Sequence, residues 1–164
     1  MNEFTSMTLN AGRAQMSEFF RCDCPVTSAV DLLGDRWIVV IVKQMLLEQK
    51  QTFKDFTVSD EAIASNILTS KLTQLLDFDI VTKSKMRGNK KSVYYHLTEK
   101  GLALAPLIVE LALWSDANLR TVNPTMTNTK DLADMKSNKE QFISDLRSNY
   151  RKLLNSFDQA NAGS

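Results

Sequence analysis

The stretch from residue 61 to residue 97 constrains the fold of this chain most strongly. An amphipathic helix is predicted over residues 61–76, and it is followed at once by two short strands, 80–87 and 92–97, joined by a turn at 88–91. At 100° per residue, the apolar side chains of the helix share one face and its short polar side chains share the opposite face. The apolar face consists of Ile67, Leu68, Leu72, Leu75 and Leu76, and the polar face of Asn66, Thr69, Ser70 and Thr73.

The polar face of this helix points to a function. Short donors and acceptors without long acidic side chains suit a helix that enters the major groove of DNA. An ordinary surface helix more often carries Glu and Lys outside, because Ser, Thr and Asn are weak helix formers. Composition alone favours the DNA-reading interpretation only mildly, so an ordinary amphipathic helix stays an alternative.

The charge distribution strengthens that interpretation. The net charge is only +1, so a role in nucleic-acid binding must come from local clustering. Residues 83–91 contain five cations and no acid: Lys83, Lys85, Arg87, Lys90 and Lys91. A basic edge strand that resists aggregation is one explanation. Beside a polar-faced helix, phosphate contact explains the cluster better.

The residues before this segment predict further helices. Pro25 suits the first position of a helix, which places Cys24 near its N-cap. The apolar run at 36–47 fits a central buried helix, although its β-branched residues would also suit a buried strand. The predicted helices cover residues 11–20, 26–33, 36–47 and 52–56, the last with Thr52 as its cap.

The residues after the hairpin predict a subunit interface. Thr98 is a plausible helix cap, and residues 102–119 are apolar on nearly all sides, with Pro106 as a kink or near the start. We expect a dimer interface here, because a small domain has little interior left to cover such a helix. A helix buried within one subunit is the alternative. Residues 130–157 predict a polar helix or helix pair that packs on its own core or on the neighbouring subunit, and residues 159–164 are expected to be disordered.

Together these elements predict a mainly α fold with a small β-hairpin: a winged helix-turn-helix with additional N- and C-terminal dimerisation helices. The expected organisation is an N-terminal arm (1–23), the DNA-binding domain (24–100), the dimerisation helix (101–120) and a C-terminal helical extension (125–158).

Several motifs in order resemble the HxlR-type winged helix-turn-helix regulators, a group related to MarR. They are Cys24-Pro-Val, Asp31-Leu-Leu-Gly-Asp-Arg-Trp37, Ile63-Ala-x-Asn-Ile-Leu-Thr-x-Lys-Leu72 and Tyr95-x-Leu-Thr-x-Lys-Gly101, with Pro106 and Trp114 spaced after them. The resemblance covers about residues 22–116. It implies a cytoplasmic bacterial transcription regulator, expected to be a repressor, that binds a roughly palindromic site in double-stranded DNA as a homodimer.

The resemblance places the recognition helix at residues 64–78 and the wing tip at 87–91. The DNA-binding residues expected from the polar face, the basic cluster and the resemblance are Ser65, Asn66, Thr69, Ser70, Lys71, Thr73, Lys85, Arg87, Lys90 and Lys91. Members of the family often have arginine at the position of Lys71. Lysine keeps the charge but lacks the planar fork needed for a bidentate contact.

Cys24 is the candidate redox sensor. A helix N-terminus favours thiolate and hence reactivity, and some members of the family sense oxidants or electrophiles at the cysteine of this motif. A buried structural cysteine is the alternative. A Cys22–Cys24 ring would be strained, so an intersubunit bridge or a mixed disulfide is expected instead.

Other functions are less well supported. A small-molecule effector could bind a pocket lined by Trp37, Phe53, Tyr95 and Trp114, although such aromatics are more often core. His96 is expected on the strand surface. No catalytic arrangement, metal-ligand spacing or cofactor motif accompanies it, so the chain is not expected to be an enzyme or to need a cofactor or metal. A non-enzymatic protein-interaction module remains the alternative to a DNA-binding regulator.

Composition indicates in which cellular compartment the chain is expected. No apolar run reaches the ~20 residues that span a bilayer, and no secretory signal is visible, so no membrane partner is expected. Two cysteines are too few for a disulfide framework, which favours a reducing cytoplasm.

Overall fold

The computed structural model describes residues 18–87 and 89–162, and only the backbone of residues 89–91. The described chain divides into two compact units, with the boundary between Val39 and Val40. Each unit is described by itself.

The first unit contains helix α1, Pro25–Leu33. Pro25 lies in its first turn and Cys24 is its N-cap residue, as predicted. Arg21 holds the preceding segment against this helix through an ion pair of 2.6 Å between its Nε and Oδ1 of Asp31. The predicted helix at 11–20 falls mostly outside the described residues, and Glu18 and Phe19 form a turn instead of its last residues.

Helix α2, Arg36–Glu48, confirms the helical interpretation of the long apolar run. Its buried side chains in the second unit, Ile41, Val42, Met45 and Leu46, recur with helical spacing and not with the alternation of a strand. Gln44 is also fully buried. This helix forms the centre of the core that supports the following elements.

Helices α3, Phe53–Thr57, and α4, Ser65–Asp77, form the helix-turn-helix. A capping box begins α3, because the Thr52 side chain accepts from the N–H of Asp55 and the Asp55 carboxylate accepts from the N–H of Thr52. Helix α4 buries Leu68, Leu72 and Leu75. The range of 64–78 that the resemblance gives for this helix is therefore confirmed to within one residue at each end. The range of 61–76 predicted from periodicity begins four residues too early, because Glu61 lies in a turn and Ala62 has a left-handed backbone.

Strands β1, Val81–Met86, and β2, Asn89–Leu97, pair antiparallel to form the wing. Val81 pairs with Leu97 and Lys85 with Val93, and the register shifts between Lys85 and Met86. The predicted turn at 88–91 is too long, because Asn89 already pairs with Met86. The backbone of Gln51 extends this hairpin by accepting a hydrogen bond of 2.7 Å from the N–H of Tyr95.

The predicted helix at 102–119 is two helices, α5, Glu99–Leu102, and α6, Ala105–Asn118. Thr98 caps α5 by accepting from the N–H of Gly101, as predicted. Gly101 allows a close approach, because a Cβ there would overlap the carbonyl oxygen of Ile80. Pro106 lies in the first turn of α6 and does not kink it.

The C-terminal extension is a helix pair, α7, Lys130–Ser137, and α8, Lys139–Ala162. The prediction of disorder from residue 159 is wrong as far as Ala162, because α8 continues to that residue. Helix α8 packs on its own chain, which is one of the two possibilities considered from the sequence, and it contacts the wing there. None of the described helices is long and apolar enough to span a membrane.

Candidate nucleic-acid interface and cysteine site

Helix α4 exposes the polar face that the sequence predicts. The side chains of five predicted DNA-binding residues are exposed: Ser65, Asn66, Thr69, Ser70 and Thr73. Lys71 is half-buried. No acid lies on α4 before Asp77 at its last position, so phosphates can approach this face without repulsion from the helix itself.

Two hydroxyls on this face donate hydrogen bonds to carbonyl oxygens of the helix itself. Thr69 Oγ1 donates to the carbonyl oxygen of Ser65 at 2.8 Å, and Thr73 Oγ1 donates to that of Thr69 at 2.9 Å. Each hydroxyl keeps its acceptor lone pairs. In the major groove these oxygens can therefore accept from the amino groups of adenine or cytosine while their own hydrogens stay on the helix backbone.

A charged cluster holds the turn before α4. Glu61 contacts Nζ of Lys43 and accepts a hydrogen bond of 2.7 Å from Nε2 of Gln44. Lys43 also pairs with Glu48 at 2.5 Å. Burial alone would raise the pKa of Glu61, but the hydrogen bonds and the charge of Lys43 outweigh it and lower the pKa to about 2. These contacts fasten the turn to α2, and the left-handed backbone of Ala62, with φ of 52°, follows directly.

The wing presents exposed cations next to this helix in the chain. Lys83, Lys85 and Arg87 are exposed, whereas the side chains of Lys90 and Lys91 lie outside the described residues. The N–H of Arg87 donates to Oδ1 of Asn161 at 2.5 Å, so a hydrogen bond connects the wing tip to helix α8. Sequence reasoning missed Asn161, because it lies in the segment expected to be disordered and carries no local signal of a contact.

His96 corrects a prediction. It is 6 % exposed and not a surface residue of the strand. Its Nε2 lies 3.0 Å from Oε1 of Gln51, and its ring contacts Phe157 edge-on with centroids 4.5 Å apart. Burial lowers its pKa, while Asp158 opposes the shift. A ring enclosed in this way packs the wing against α8 and is poorly placed to meet a phosphate.

Cys24 lies at an exposed helix N-terminus. Its thiol and that of Cys22 are both free and exposed, so the alternative of a buried structural cysteine is wrong. The backbone N–H of Thr27 is the largest cause of a lowered pKa of Cys24, followed by the Thr27 hydroxyl and the N–H of Val26. A lowered pKa increases the thiolate fraction, which is the reactive form of a cysteine.

The aromatic pocket considered from the sequence does not coincide with the cavity at helices α2, α7 and α8. A cavity of about 310 Å³ lies between α2, α7 and α8, and none of the four predicted aromatic residues lines it. Its walls include Leu46, Phe142, Leu146 and Asp145. Among the described residues, no group of three or more His, Cys, Asp or Glu side chains is arranged to hold a metal ion.

Comparisons with known proteins agree with this geometry. Residues 32–123 match the family model described as HxlR-like helix-turn-helix. The chain is 34 % identical over 94 residues to the HTH-type transcriptional regulator YodB of Bacillus subtilis (strain 168), covering 57 % of this chain and 83 % of YodB. It is 32 % identical over 93 residues to YvaP of the same organism, an uncharacterised HTH-type transcriptional regulator, covering 56 % of this chain and 85 % of YvaP.

Two solved structures resemble the fold. The crystal structure of PA1607 has a TM-score of 0.55 and 30 % identity, covering 62 % of this chain and 69 % of that one. The redox regulator HypR in its reduced form has a TM-score of 0.55 and 26 % identity, covering 62 % and 99 %. The family match covers more than half of the chain and contains the whole helix-turn-helix and wing. The chain therefore belongs to the HxlR-like helix-turn-helix family of DNA-binding transcriptional regulators.

Proposed function

We propose that this chain is a sequence-specific repressor that acts as a homodimer in the cytoplasm and is released from DNA when Cys24 is oxidised. The observation that carries the DNA-binding part is the exposed polar face of α4 beside exposed cations on the wing. Neutral short side chains suit base edges, and flexible cations suit phosphates.

The two elements divide the work of recognition. Asn66, with its paired donor and acceptor, is the best candidate for a bidentate contact to adenine, and Thr69 and Thr73 supply acceptors. Ser65, Ser70 and Lys71 contact the DNA sugar-phosphate backbone and so fix the position of the helix along the groove. Lys85, Arg87, Lys90 and Lys91 bind phosphates along the wing, with Arg87 nearest the turn and best placed for the minor groove.

A stripe of exposed apolar side chains on α6 supports the dimer. Leu107, Leu111 and Trp114 are 40 %, 41 % and 58 % exposed and lie three or four residues apart on one face. A matching stripe on a second copy would bury them. Two copies would then present two copies of α4 to half-sites ~34 Å apart.

Two variants test the DNA contacts in a fluorescence anisotropy titration with a selected operator. Arg87→Ala should weaken binding to all sequences and reduce the salt slope by about one unit. Asn66→Ala should cost ~1–3 kcal/mol on the preferred sequence and relax its preference. Lys130→Ala removes an exposed cation on α7 and serves as the control. If Arg87→Ala and Asn66→Ala both bind like wild type, the assignment is wrong.

The redox proposal rests on the exposed, acidified thiol at the N-cap of α1 and on the likeness to HypR, a redox regulator. A disulfide-forming oxidant such as diamide would take two electrons and two protons from two Cys24 thiols, one from each subunit, and be reduced to its hydrazine. The S–S bond formed would link the subunits. Cys24→Ser should keep DNA binding after oxidation, whereas Cys22→Ser should still release DNA. A Cys24→Ser protein that still releases DNA on oxidation would exclude the switch.

Transcription in vitro tests the direction of regulation. A promoter that carries the selected operator should be silenced by the reduced protein and restored by the oxidant. Increased transcription with the reduced protein would make the chain an activator.

A further inference from the structure

Helix α8 lies along the length of the wing. Its contact residues Tyr150, Phe157 and Asn161 are spaced by seven and four residues, so they share one helical face. From Tyr150 to Asn161 the helix rises ~16 Å, at 1.5 Å per residue. From Val81, which pairs with Leu97, to the wing tip the strand rises by a similar distance, at ~3.3 Å per residue.

The first contact is at the base of the wing. The hydroxyl oxygen of Tyr150 accepts a hydrogen bond of 2.9 Å from the N–H of Leu97. Tyr150 is 1 % exposed. Beside it, the guanidinium of Arg151 forms two hydrogen bonds, of 2.9 and 2.7 Å, to the carboxylate of Glu99, directly after the wing. The base of the hairpin is thus fixed to α8 by both backbone and side-chain contacts.

The second contact is in the middle of the wing. Phe157 packs against Tyr94 and His96, with ring centroids 5.0 and 4.5 Å away. Tyr94 and His96 are two residues apart on β2 and therefore lie on the same face of the hairpin. Helix α8 therefore covers part of this face, including the buried ring of His96.

The third contact is at the tip. The carboxamide of Asn161 accepts from the N–H of Arg87 at 2.5 Å and donates from Nδ2 to the carbonyl oxygen of Lys85 at 3.4 Å. The strand register shifts between Lys85 and Met86, so the regular ladder is interrupted at this point. Asn161 therefore supports the backbone where two of the predicted phosphate-binding side chains begin.

The helix that makes these three contacts, α8, lies outside the part of the chain that matches the family. The family match ends at residue 123, and α8 begins at Lys139. A two-stranded hairpin is at best marginally stable without a surface to pack on. This chain provides that surface from its own C-terminal extension.

We propose that α8 is a positioning element for DNA binding, with Asn161 as the residue that holds the wing tip ready for the phosphate backbone. This inference rests on the proposed function. Without Asn161 the tip becomes more mobile and must be ordered on binding. Ordering one residue costs on the order of a factor of ten in an equilibrium constant, so Asn161→Ala should bind the operator about tenfold more weakly.

The test uses the full-length protein and a double-mutant cycle. Asn161→Ala is combined with Arg87→Ala, and Asn155→Ala on the exposed side of α8 is the control. The about tenfold loss should shrink to about threefold in the Arg87→Ala background, because one of the two side chains that Asn161 positions is then missing. Asn155→Ala should bind like wild type.

Amide hydrogen exchange of the free protein gives a second readout. The Arg87 N–H should be protected in wild type and in Asn155→Ala, and its exchange should accelerate in Asn161→Ala. Unprotected Arg87 in wild type, wild-type affinity of Asn161→Ala, or an equal loss with and without Arg87 would each overturn the inference. Failure of wild type to bind any duplex would instead refute the proposed function.

Discussion

Glu61→Gln tests how the helix-turn-helix is held. Glu61 is the carboxylate that joins the turn before α4 to Lys43 and Gln44 on α2. Glutamine keeps the shape and can keep a hydrogen bond, but it removes the charge. The substitution therefore isolates the electrostatic part of the contact.

The magnitude follows from the pKa of Glu61, which is lowered from 4.5 to about 2. At 1.36 kcal/mol per pKa unit this difference corresponds to ~3 kcal/mol as an upper bound. The side chain remains 28 % exposed, so solvent screens part of the interaction and we expect ~1–2 kcal/mol. Lys43 keeps its second partner, Glu48, in the variant.

The contribution depends on pH in a defined direction. A lowered folded-state pKa means that the stability is present above pH 4.5 and is lost as the pH falls toward 2. Urea unfolding, followed by the fluorescence of Trp37 and Trp114, measures the free energy of unfolding between pH 7 and pH 3. The difference between wild type and Glu61→Gln should be largest at pH 7 and decrease below pH 4.5.

Asp60→Asn removes an exposed carboxylate from the neighbouring position and is the matched control. It should change the free energy of unfolding by less than ~0.5 kcal/mol. Equal stabilities of wild type and Glu61→Gln at pH 7, or a difference that does not change down to pH 3, would refute the assignment of this cluster as the clamp on the turn.

Three further variants test other elements. Tyr150→Phe leaves the N–H of Leu97 without its acceptor and should destabilise the chain by ~1–3 kcal/mol in the same urea assay, and no loss would show that this bond is unimportant. The pKa of Tyr150 is raised to about 12, so wild type should lose stability as the pH rises from 10 toward 12, and the variant should lose less. Trp114→Ser should shift the sedimentation equilibrium toward monomer if α6 forms the dimer interface, and an unchanged dimer would place the interface elsewhere. Thr69→Val removes an acceptor and should weaken operator binding by ~1–3 kcal/mol, whereas wild-type affinity would exclude a base contact by this hydroxyl.

Local signals in the sequence predicted the helix-turn-helix well. Thr52 and Thr98 cap helices where expected, because capping depends on residues only three positions away. Helix α4 follows from its own periodicity. The wing was predicted as two short strands joined by a turn, and β1 agrees with its predicted range to within one residue at each end. The start of β2 was misplaced by three residues, because pairing at Asn89 depends on the register of the opposite strand.

Contacts between distant parts of the chain were missed. Asn161 and Arg87 are 74 residues apart, and the polar composition of the last residues reads as disorder when it is considered alone. The burial of His96 was missed for the same reason, since the ring that covers it, Phe157, belongs to α8. Both wrong predictions, disorder from residue 159 and an exposed His96, therefore arose because contacts of the C-terminal extension with the wing have no local signal in the sequence.

Selection of bound sequences from random duplex DNA tests the central claim most directly, namely that α4 and the wing read DNA together. The full-length reduced protein should enrich an inverted repeat with half-sites about one helical turn apart. In parallel selections, Asn66→Ala should weaken the preference for particular bases. Arg87→Ala should lower the amount of bound DNA that is recovered without changing the preferred bases. Recovery of unenriched random sequence by the wild-type protein would contradict the account.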